Sequence, residues 1–87
     1  MEEFVGEEIE VAFEKKPGPP TAFQWRARAY KIVRIEAMKR VLDFRRPWYR
    51  RRHRDHYVVE TDQGEHFRIY FHRGPGRRYW VLYDMIK

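Results

Sequence analysis

The spacing of turn signals in the last third of the chain constrains the fold more than any other feature. The segment HYVVETDQGEHFRIYFHRGPGRRYWVLYD contains three runs in which aromatic and β-branched residues alternate with polar ones. The runs are separated by Gln63-Gly64 and by a Gly-Pro-Gly sequence. Alternation with a period of two puts successive side chains on opposite faces of a strand, and glycine lets the backbone reverse. The segment therefore predicts a three-stranded antiparallel meander.

The lengths of the two turns predict the register of this meander. With Gly64 in the left-handed conformation, alternate apolar residues of the first hairpin share a face, and the second turn puts Phe71 opposite Trp80 on the same side. The predicted inward residues are Tyr57, Val59, Phe67, Ile69, Phe71, Trp80 and Leu82. The predicted outward residues are His56, Val58, Glu60, His66, Arg68, Tyr70, His72, Tyr79, Val81 and Tyr83.

The first half of the chain predicts three further strands. EEIEVAFE alternates, KKPGPP is a turn, and Phe23 and Trp25 fall in a short strand before a tight turn at residues 26–28. A longer strand begins at Tyr30, but residues 35–44 also carry apolar residues at helical spacing, and we favour a bent strand over a helix there. We expect residues 1–87 to form one all-β domain, a strongly bent antiparallel sheet or barrel of about six short strands.

Composition limits the class of protein. A chain of 87 residues has little room for a substrate cavity beside its core, and without cysteine it has no disulfide and no thiolate metal site. No apolar run approaches membrane-spanning length, and the first residues are acidic where a signal peptide is basic. We expect a cytoplasmic protein without membrane association.

The charge of the chain is positive and unevenly distributed. The formal net charge is +6, glutamates crowd the first 14 residues, and six arginines fall within residues 45–54, in the stretch FRRPWYRRRHRDHY. Arginines that bind phosphate beside aromatic rings that stack on bases are typical of single-strand binders. The predicted nucleic-acid-binding residues are Arg45, Arg46, Arg50, Arg51, Arg52, Arg68, Tyr70, Tyr79 and Tyr83. The alternative is that the arginines form a solvated loop and that the tyrosines cover a sheet or contact another protein.

Histidines and carboxylates do not predict a metal site or an enzyme. His53, Asp55, His56 and His72 offer metal ligands, but alternation points Asp55 and His56 to opposite faces, and neighbouring arginines repel a cation. Paired carboxylates, cysteine or serine nucleophiles and a phosphate-binding loop are missing from the sequence pattern. We expect no catalytic residues, no metal and no cofactor.

Several aromatic motifs resemble a known family. The chain beyond residue 7 is similar to an uncharacterised small bacterial β-domain that is found alone and is related to the C-terminal segment of inactive Y-family (translesion) polymerase-like proteins. The segments that carry the resemblance are FQWRARAY, Trp48-Tyr49, Arg54-Asp55-His56-Tyr57, Gly64, Phe67, Tyr70, Arg73 and Trp80-Val81-Leu82. His56 replaces the usual tyrosine, Ala27 stands where glycine commonly makes the turn, and RRRHR is more basic than usual. The resemblance implies a β fold and DNA-repair surroundings, without catalytic residues.

Two functions are compatible with these features. The first is a non-enzymatic accessory protein that binds nucleic acid, in particular single-stranded or distorted DNA, through the basic loop and the aromatic sheet face. The second is a protein-interaction module that docks on a repair polymerase-like or other partner. The sequence allows a monomer or a homodimer. It also predicts a structural ion pair between Asp55 and Arg68 or Arg73 on a neighbouring strand.

Overall fold

The computed structural model describes residues 2–16, 18–42, 53–73 and 77–86, and every described regular element is a strand. The strands are β1 Glu2–Phe13, β2 Pro20–Trp25, β3 Arg28–Val41, β4 Arg54–Thr61, β5 His66–His72 and β6 Tyr79–Ile86. Each strand pairs antiparallel with the next, and β6 pairs with β1, so the sheet closes into a six-stranded antiparallel barrel. The predicted all-β barrel is confirmed. In the described part of the chain, no helix is long and apolar enough to cross a membrane.

The predicted register of the C-terminal meander is also confirmed. Val59 pairs with Phe67 across β4 and β5, and Phe71 pairs with Trp80 across β5 and β6. Gly64 has a φ of +79°, and its N–H donates to the Thr61 carbonyl at 3.0 Å. The left-handed glycine therefore closes the hairpin as expected.

The core is a cluster of apolar side chains inside the barrel. Val59, Phe67, Ile69 and Leu82 have no exposed surface. Phe67 makes edge-to-face contacts with rings of the β2–β3 hairpin, at a centroid distance of 5.5 Å in the case of Phe23. Full burial of such a side chain stabilises the fold by about 1.5–3 kcal/mol, so these residues hold the two halves of the chain together.

Strand β3 explains the helical spacing of its apolar residues. Ile32, Ile35 and Met38 pair with residues 61, 59 and 57 of β4, so a spacing of three on β3 matches a spacing of two on β4. Register shifts between Ile32 and Arg34 and between Ile35 and Ala37 account for the difference, because each bulge adds one residue. The favoured bent strand is confirmed up to Val41. Leu42 is described but lies beyond the end of the strand, and residues 43 and 44 lie outside the described residues.

Two strands are longer than the sequence predicted. β1 has 12 residues and β3 has 14, whereas β2 between them has six. β2 pairs with β1 from Glu10 onward and with β3 up to Lys31. Residues 2–8 of β1 therefore extend past one end of β2, and residues 33–41 of β3 extend past the other end. Among the described strands, this part of β3 pairs with β4 alone. The expected number of six strands is confirmed. The expectation that all of them are short was wrong for β1 and β3, because bulges allow long strands to bend around a small core.

Candidate nucleic-acid interface

The outward side chains of β3 to β6 form a surface that we call the outer face. It consists of Ala37, Lys39 and Val41 from β3, Arg54, His56 and Val58 from β4, Arg68, Tyr70 and His72 from β5, and Tyr79, Val81 and Tyr83 from β6. Cross-strand pairing arranges them in rows, one of which runs from Lys39 through His56 and Tyr70 to Val81. Neighbouring strands lie about 4.8 Å apart, so the members of a row are in reach of one another.

Tyr70 is at the centre of the outer face. The guanidinium carbon of Arg54 lies 4.7 Å from its ring centroid, and the His56 ring lies 5.2 Å away. Arg54 forms no ion pair with any residue in the described ranges. A cation over an aromatic face is attracted by the ring quadrupole and keeps its charge available to an incoming anion.

Tyr83 is the second tyrosine of the outer face, and it lies at a bulge in β6. The register shifts between Arg68 and Ile69, so Tyr83 and Asp84 both lie opposite Arg68. The Tyr83 ring lies 6.3 Å from Tyr70 and meets Phe4 edge-on at 5.3 Å. Phe4, at the start of β1, is 70% exposed. The three rings therefore make a continuous aromatic surface across β5, β6 and β1.

Arg68 is partly neutralised by its neighbour. Its Nε lies 3.2 Å from Oδ1 of Asp84, a carboxylate that is 3% exposed. The contact is close enough for an ion pair, although its geometry falls short of a hydrogen bond. Its guanidinium carbon also lies 6.0 Å from the Tyr83 ring centroid. Arg68 therefore joins the cationic and aromatic parts of the outer face.

The electrostatic environment of His56 is positive. Burial lowers its pKa, and the charges of Arg54, Arg68 and Lys39 lower it further, while Asp55 acts in the opposite direction. Lys39 lies directly opposite His56 and forms no ion pair with the described residues. A histidine whose protonated form is disfavoured by burial and by three nearby cations indicates a site at which an anion would be stabilised.

Tyr79 lies in a more neutral part of the outer face. Its ring is 4.9 Å from His72 and 5.2 Å from the guanidinium carbon of Arg77. Arg77 donates two hydrogen bonds to Glu8, one of them at 2.7 Å, and these bonds lower the pKa of Glu8 and raise that of Arg77. The charge beside Tyr79 is therefore compensated within the protein.

The predicted site residues divide into two groups. Arg45, Arg46, Arg50, Arg51 and Arg52 lie outside the described residues, as do Trp48 and Tyr49. Arg68, Tyr70 and Tyr83 lie close together on the outer face. Tyr79 lies apart from them, beside Arg77, whose charge is paired with that of Glu8.

Sequence reasoning missed Phe4, Lys39 and Arg54 as members of this surface. Arg54 carried a usable signal, because alternation along β4 puts it on the same face as the outward His56. Lys39 would have followed from the correct register of β3 against β4, which sets it opposite His56. Phe4 carried none, because only closure of the barrel brings it to Tyr83.

Asp55 is a structural residue. It is 5% exposed, accepts a hydrogen bond from Nε of Arg40 at 3.1 Å, and lies 3.4 Å from Nε of Arg73. The predicted pair with Arg73 is confirmed, whereas Arg68 turns to Asp84. A buried carboxylate that two arginines contact stabilises the end of the barrel and is not free to hold a metal.

Glu36, Glu60 and His66 offer one ligand atom each within 4.8 Å of one another. Glu60 lies opposite His66, but His66 Nε2 lies 3.2 Å from Glu36, on the far side of β4. Arg34 binds Glu60 and lies 3.8 Å from Glu36. A metal ion could be held here only if it displaced the arginine.

Comparison with known proteins gives a family and no function. No curated protein and no solved structure matches the chain, and no similarity to Y-family polymerases is shown. A family model covers residues 1–87 in full. The chain therefore belongs to the family described as a domain of unknown function, DUF6504.

Proposed function

We propose that this protein is a non-enzymatic accessory protein that binds single-stranded DNA across its outer face. One observation carries the proposal: Lys39, Arg54 and Arg68 surround His56, and the rings of Tyr70, Tyr83 and Phe4 continue directly from this cationic cluster. Cations supply affinity for phosphates, and aromatic faces accept any base.

The shape of the surface favours a single strand over a duplex. A duplex major groove is usually entered by a helix or a two-stranded ribbon, whereas the outer face is the side of a barrel with its rings spread over three strands. Rings on a sheet face can stack only on bases that are not already stacked in a duplex. The predicted arginines of residues 45–52 would add phosphate contacts.

The absence of catalysis is part of this proposal. Asp55 and Asp84 are both buried against arginines, so neither carboxylate is open to a Mg²⁺ ion. The four residues Lys39, Arg54, Arg68 and Tyr70 bind and orient but do not activate a nucleophile at neutral pH. The family resemblance adds DNA-repair surroundings to the proposal, and the composition of the chain, which lacks cysteine and any membrane-length apolar run, adds a cytoplasmic location.

A second candidate function is docking on a repair polymerase-like or other protein partner. The observation that favours it is the exposed apolar surface of the molecule: Phe4 is 70% exposed, and Val33, Met38, Val41 and Leu42 on or beside β3 are each more than a third exposed. Apolar side chains of this kind are typical of protein contact surfaces. Tyr70 would then contact protein instead of a base.

Equilibrium binding of a fluorescent single-stranded oligonucleotide, followed by anisotropy, tests the first candidate. The combined change Lys39→Gln and Arg54→Gln removes two charges from the outer face and should weaken binding at least about tenfold in low salt, as expected for the loss of two phosphate contacts. Lys15→Gln with Lys31→Gln removes the same charge from two exposed lysines elsewhere and should have little effect. Equal losses in both double variants would show that only net charge matters.

A further variant, Tyr70→Ala, separates the two candidates. Under the docking function, Tyr70→Ala abolishes capture of the partner and leaves oligonucleotide binding unchanged. Under the DNA-binding function, Tyr70→Ala weakens oligonucleotide binding directly.

A further inference from the structure

The outer face contains a groove with an aliphatic floor and a cationic rim. It is lined by Ala37, Met38, Lys39, Val41, His56, Val58 and Arg68 and has a volume of about 400 Å³. That volume lies at the lower end of the range for small-molecule sites, roughly 300–1,000 Å³. Among the described residues, no carboxylate lines the groove.

The groove forms because neighbouring rows of the outer face carry side chains of different length. Ala37 and Val58 form a row of short side chains. The row on one side contains Lys39 and His56, and the row on the other contains the ion-paired Arg34 and Glu60. Short side chains between two rows of long ones leave a depression, which Arg68, opposite Val58 on β5, closes at one end. The depression therefore follows from the identity of two small residues.

We propose that this groove binds one unstacked nucleotide of the bound strand, with the base on Ala37 and Val58 and the phosphate between Lys39, His56 and Arg68. The inference rests on the proposed function. Charge complementarity selects an anionic occupant, because the ionisable side chains among the described lining residues are the basic residues Lys39, His56 and Arg68. The carboxylate of Glu60, in the neighbouring row, is paired with Arg34. The flat aliphatic floor selects an occupant that also carries a planar apolar part.

The position of the groove supports a nucleotide within a longer strand. His56 and Arg68 line the groove and also contact Tyr70 and Tyr83, respectively. A strand that leaves a base in the groove would therefore continue onto the aromatic surface. The path from β3 through β4, β5 and β6 to β1 crosses four strand spacings, roughly 19 Å at 4.8 Å each. This length leaves room for neighbouring nucleotides on the same path.

Nuclear magnetic resonance of the whole 87-residue chain tests the proposal. Thymidine monophosphate, inorganic phosphate and thymidine are titrated separately into methyl-labelled protein. The nucleotide should shift the methyl signals of Ala37, Val41 and Val58 together with the His56 ring signals. Inorganic phosphate should shift His56 alone. If phosphate reproduces the full set of methyl shifts, the groove is a simple anion site and the proposal is overturned.

A matched pair of variants completes the test. Ala37→Leu fills the groove without changing its charge, whereas Val33→Leu adds bulk to another exposed position of β3 that does not line the groove. Only Ala37→Leu should weaken binding of the mononucleotide and of a single-stranded oligonucleotide, by roughly 5-fold to 150-fold if the lost contact is worth as much as one stacked base. Unchanged binding in Ala37→Leu overturns the groove and leaves the proposed function standing.

Two other outcomes are decisive. If an acidic peptide that contains leucine gives the same methyl shifts at lower concentration than the nucleotide, the groove belongs to a protein partner and the inference is overturned. If the native protein binds no oligonucleotide at low salt, the inference falls together with the proposed function.

Discussion

The guanidinium of Arg54 lies 4.7 Å from the ring centroid of Tyr70, and no described carboxylate pairs with it. The ring holds the cation at the surface, and the cation covers part of the ring. A change at Tyr70 therefore alters the aromatic surface and also the position of the Arg54 guanidinium, for which we propose a phosphate contact.

Tyr70→Leu should weaken binding of single-stranded DNA by about 1–3 kcal/mol, the range for loss of one base stack. Tyr70→Phe keeps the ring and should bind nearly as well as the native protein. The dependence of log K on log salt should change little, because neither variant removes a charge. Equal loss of affinity in both variants would show that the hydroxyl group, and not the ring, is the important contact.

Binding should tighten as the pH falls from 8 to 6, and His56 should be responsible. Its pKa lies below the ordinary value of about 6.5 because burial and the cations Arg54, Arg68 and Lys39 disfavour the protonated form. A bound phosphate would raise this pKa, so binding takes up a proton. His56→Gln should abolish this part of the pH dependence, while His66→Gln, which changes a histidine in contact with Glu36, should keep it.

The same histidine should make the free protein less stable in mild acid. Because the folded-state pKa is lowered, the unfolded state binds the proton first, and stability is lost as the pH falls from about 6.5 through the lowered pKa. Urea unfolding at a series of pH values checks this. The free energy of unfolding of His56→Gln should decline less over that interval. A steeper decline in the variant than in the native protein would contradict the assigned direction.

Asp55→Asn should lower the free energy of unfolding by about 1–3 kcal/mol. The substitution removes the buried carboxylate that Arg40 and Arg73 contact at the end of the barrel. Both arginines are partly exposed and can turn to water, which keeps the loss moderate. Glu8→Gln, which removes an exposed carboxylate paired with Arg77, should cost under about 1 kcal/mol. Chemical denaturation of the two variants compares them.

Ala27→Gly should stabilise the protein by about 0.5–1 kcal/mol. Arg26 and Ala27 form the β2–β3 turn with φ values of 50° and 62°, a left-handed conformation that costs about 1–2 kcal/mol for a residue with a side chain. Part of the gain is offset by the greater entropy of glycine in the unfolded chain.

A matched glycine substitution two residues further on controls for that entropy. Ala29→Gly lies in strand β3, and Ala29 is not among the residues with positive φ. Its glycine variant should destabilise the protein by about 0.5–1 kcal/mol. A loss of stability in both variants would mean that the turn does not strain Ala27.

Most of the β4–β6 meander was predictable because its information is local. Gly64 sets the turn, and alternation over Val59, Phe67 and Ile69 then decides which side is buried. The first half was harder to predict, because two bulges in β3 change the spacing of inward residues from two to three. A bulge adds a residue without a distinct residue type, so alternation alone does not reveal it.

The candidate site was only partly predictable for the same reason. Arg68 and Tyr70 followed from alternation, but the bulge that puts both Tyr83 and Asp84 opposite Arg68 did not. The contact between Phe4 and Tyr83 joins the two ends of the chain and depends on closure of the barrel. The groove depends on which residues of β3 lie beside Val58, and that register comes from tertiary packing.

The salt dependence of oligonucleotide binding tests the central claim most directly. If roughly four to six phosphates of a single strand are contacted, log K should fall with log salt at a slope of about −3 to −4, and the combined Lys39→Gln and Arg54→Gln changes should reduce the size of that slope by about 1–2. The combined Arg50→Ala, Arg51→Ala and Arg52→Ala changes should flatten the slope if the predicted basic loop also binds phosphate. Absence of detectable binding at low salt, or a slope unaffected by removal of Lys39 and Arg54, would contradict the assignment of DNA binding to the outer face.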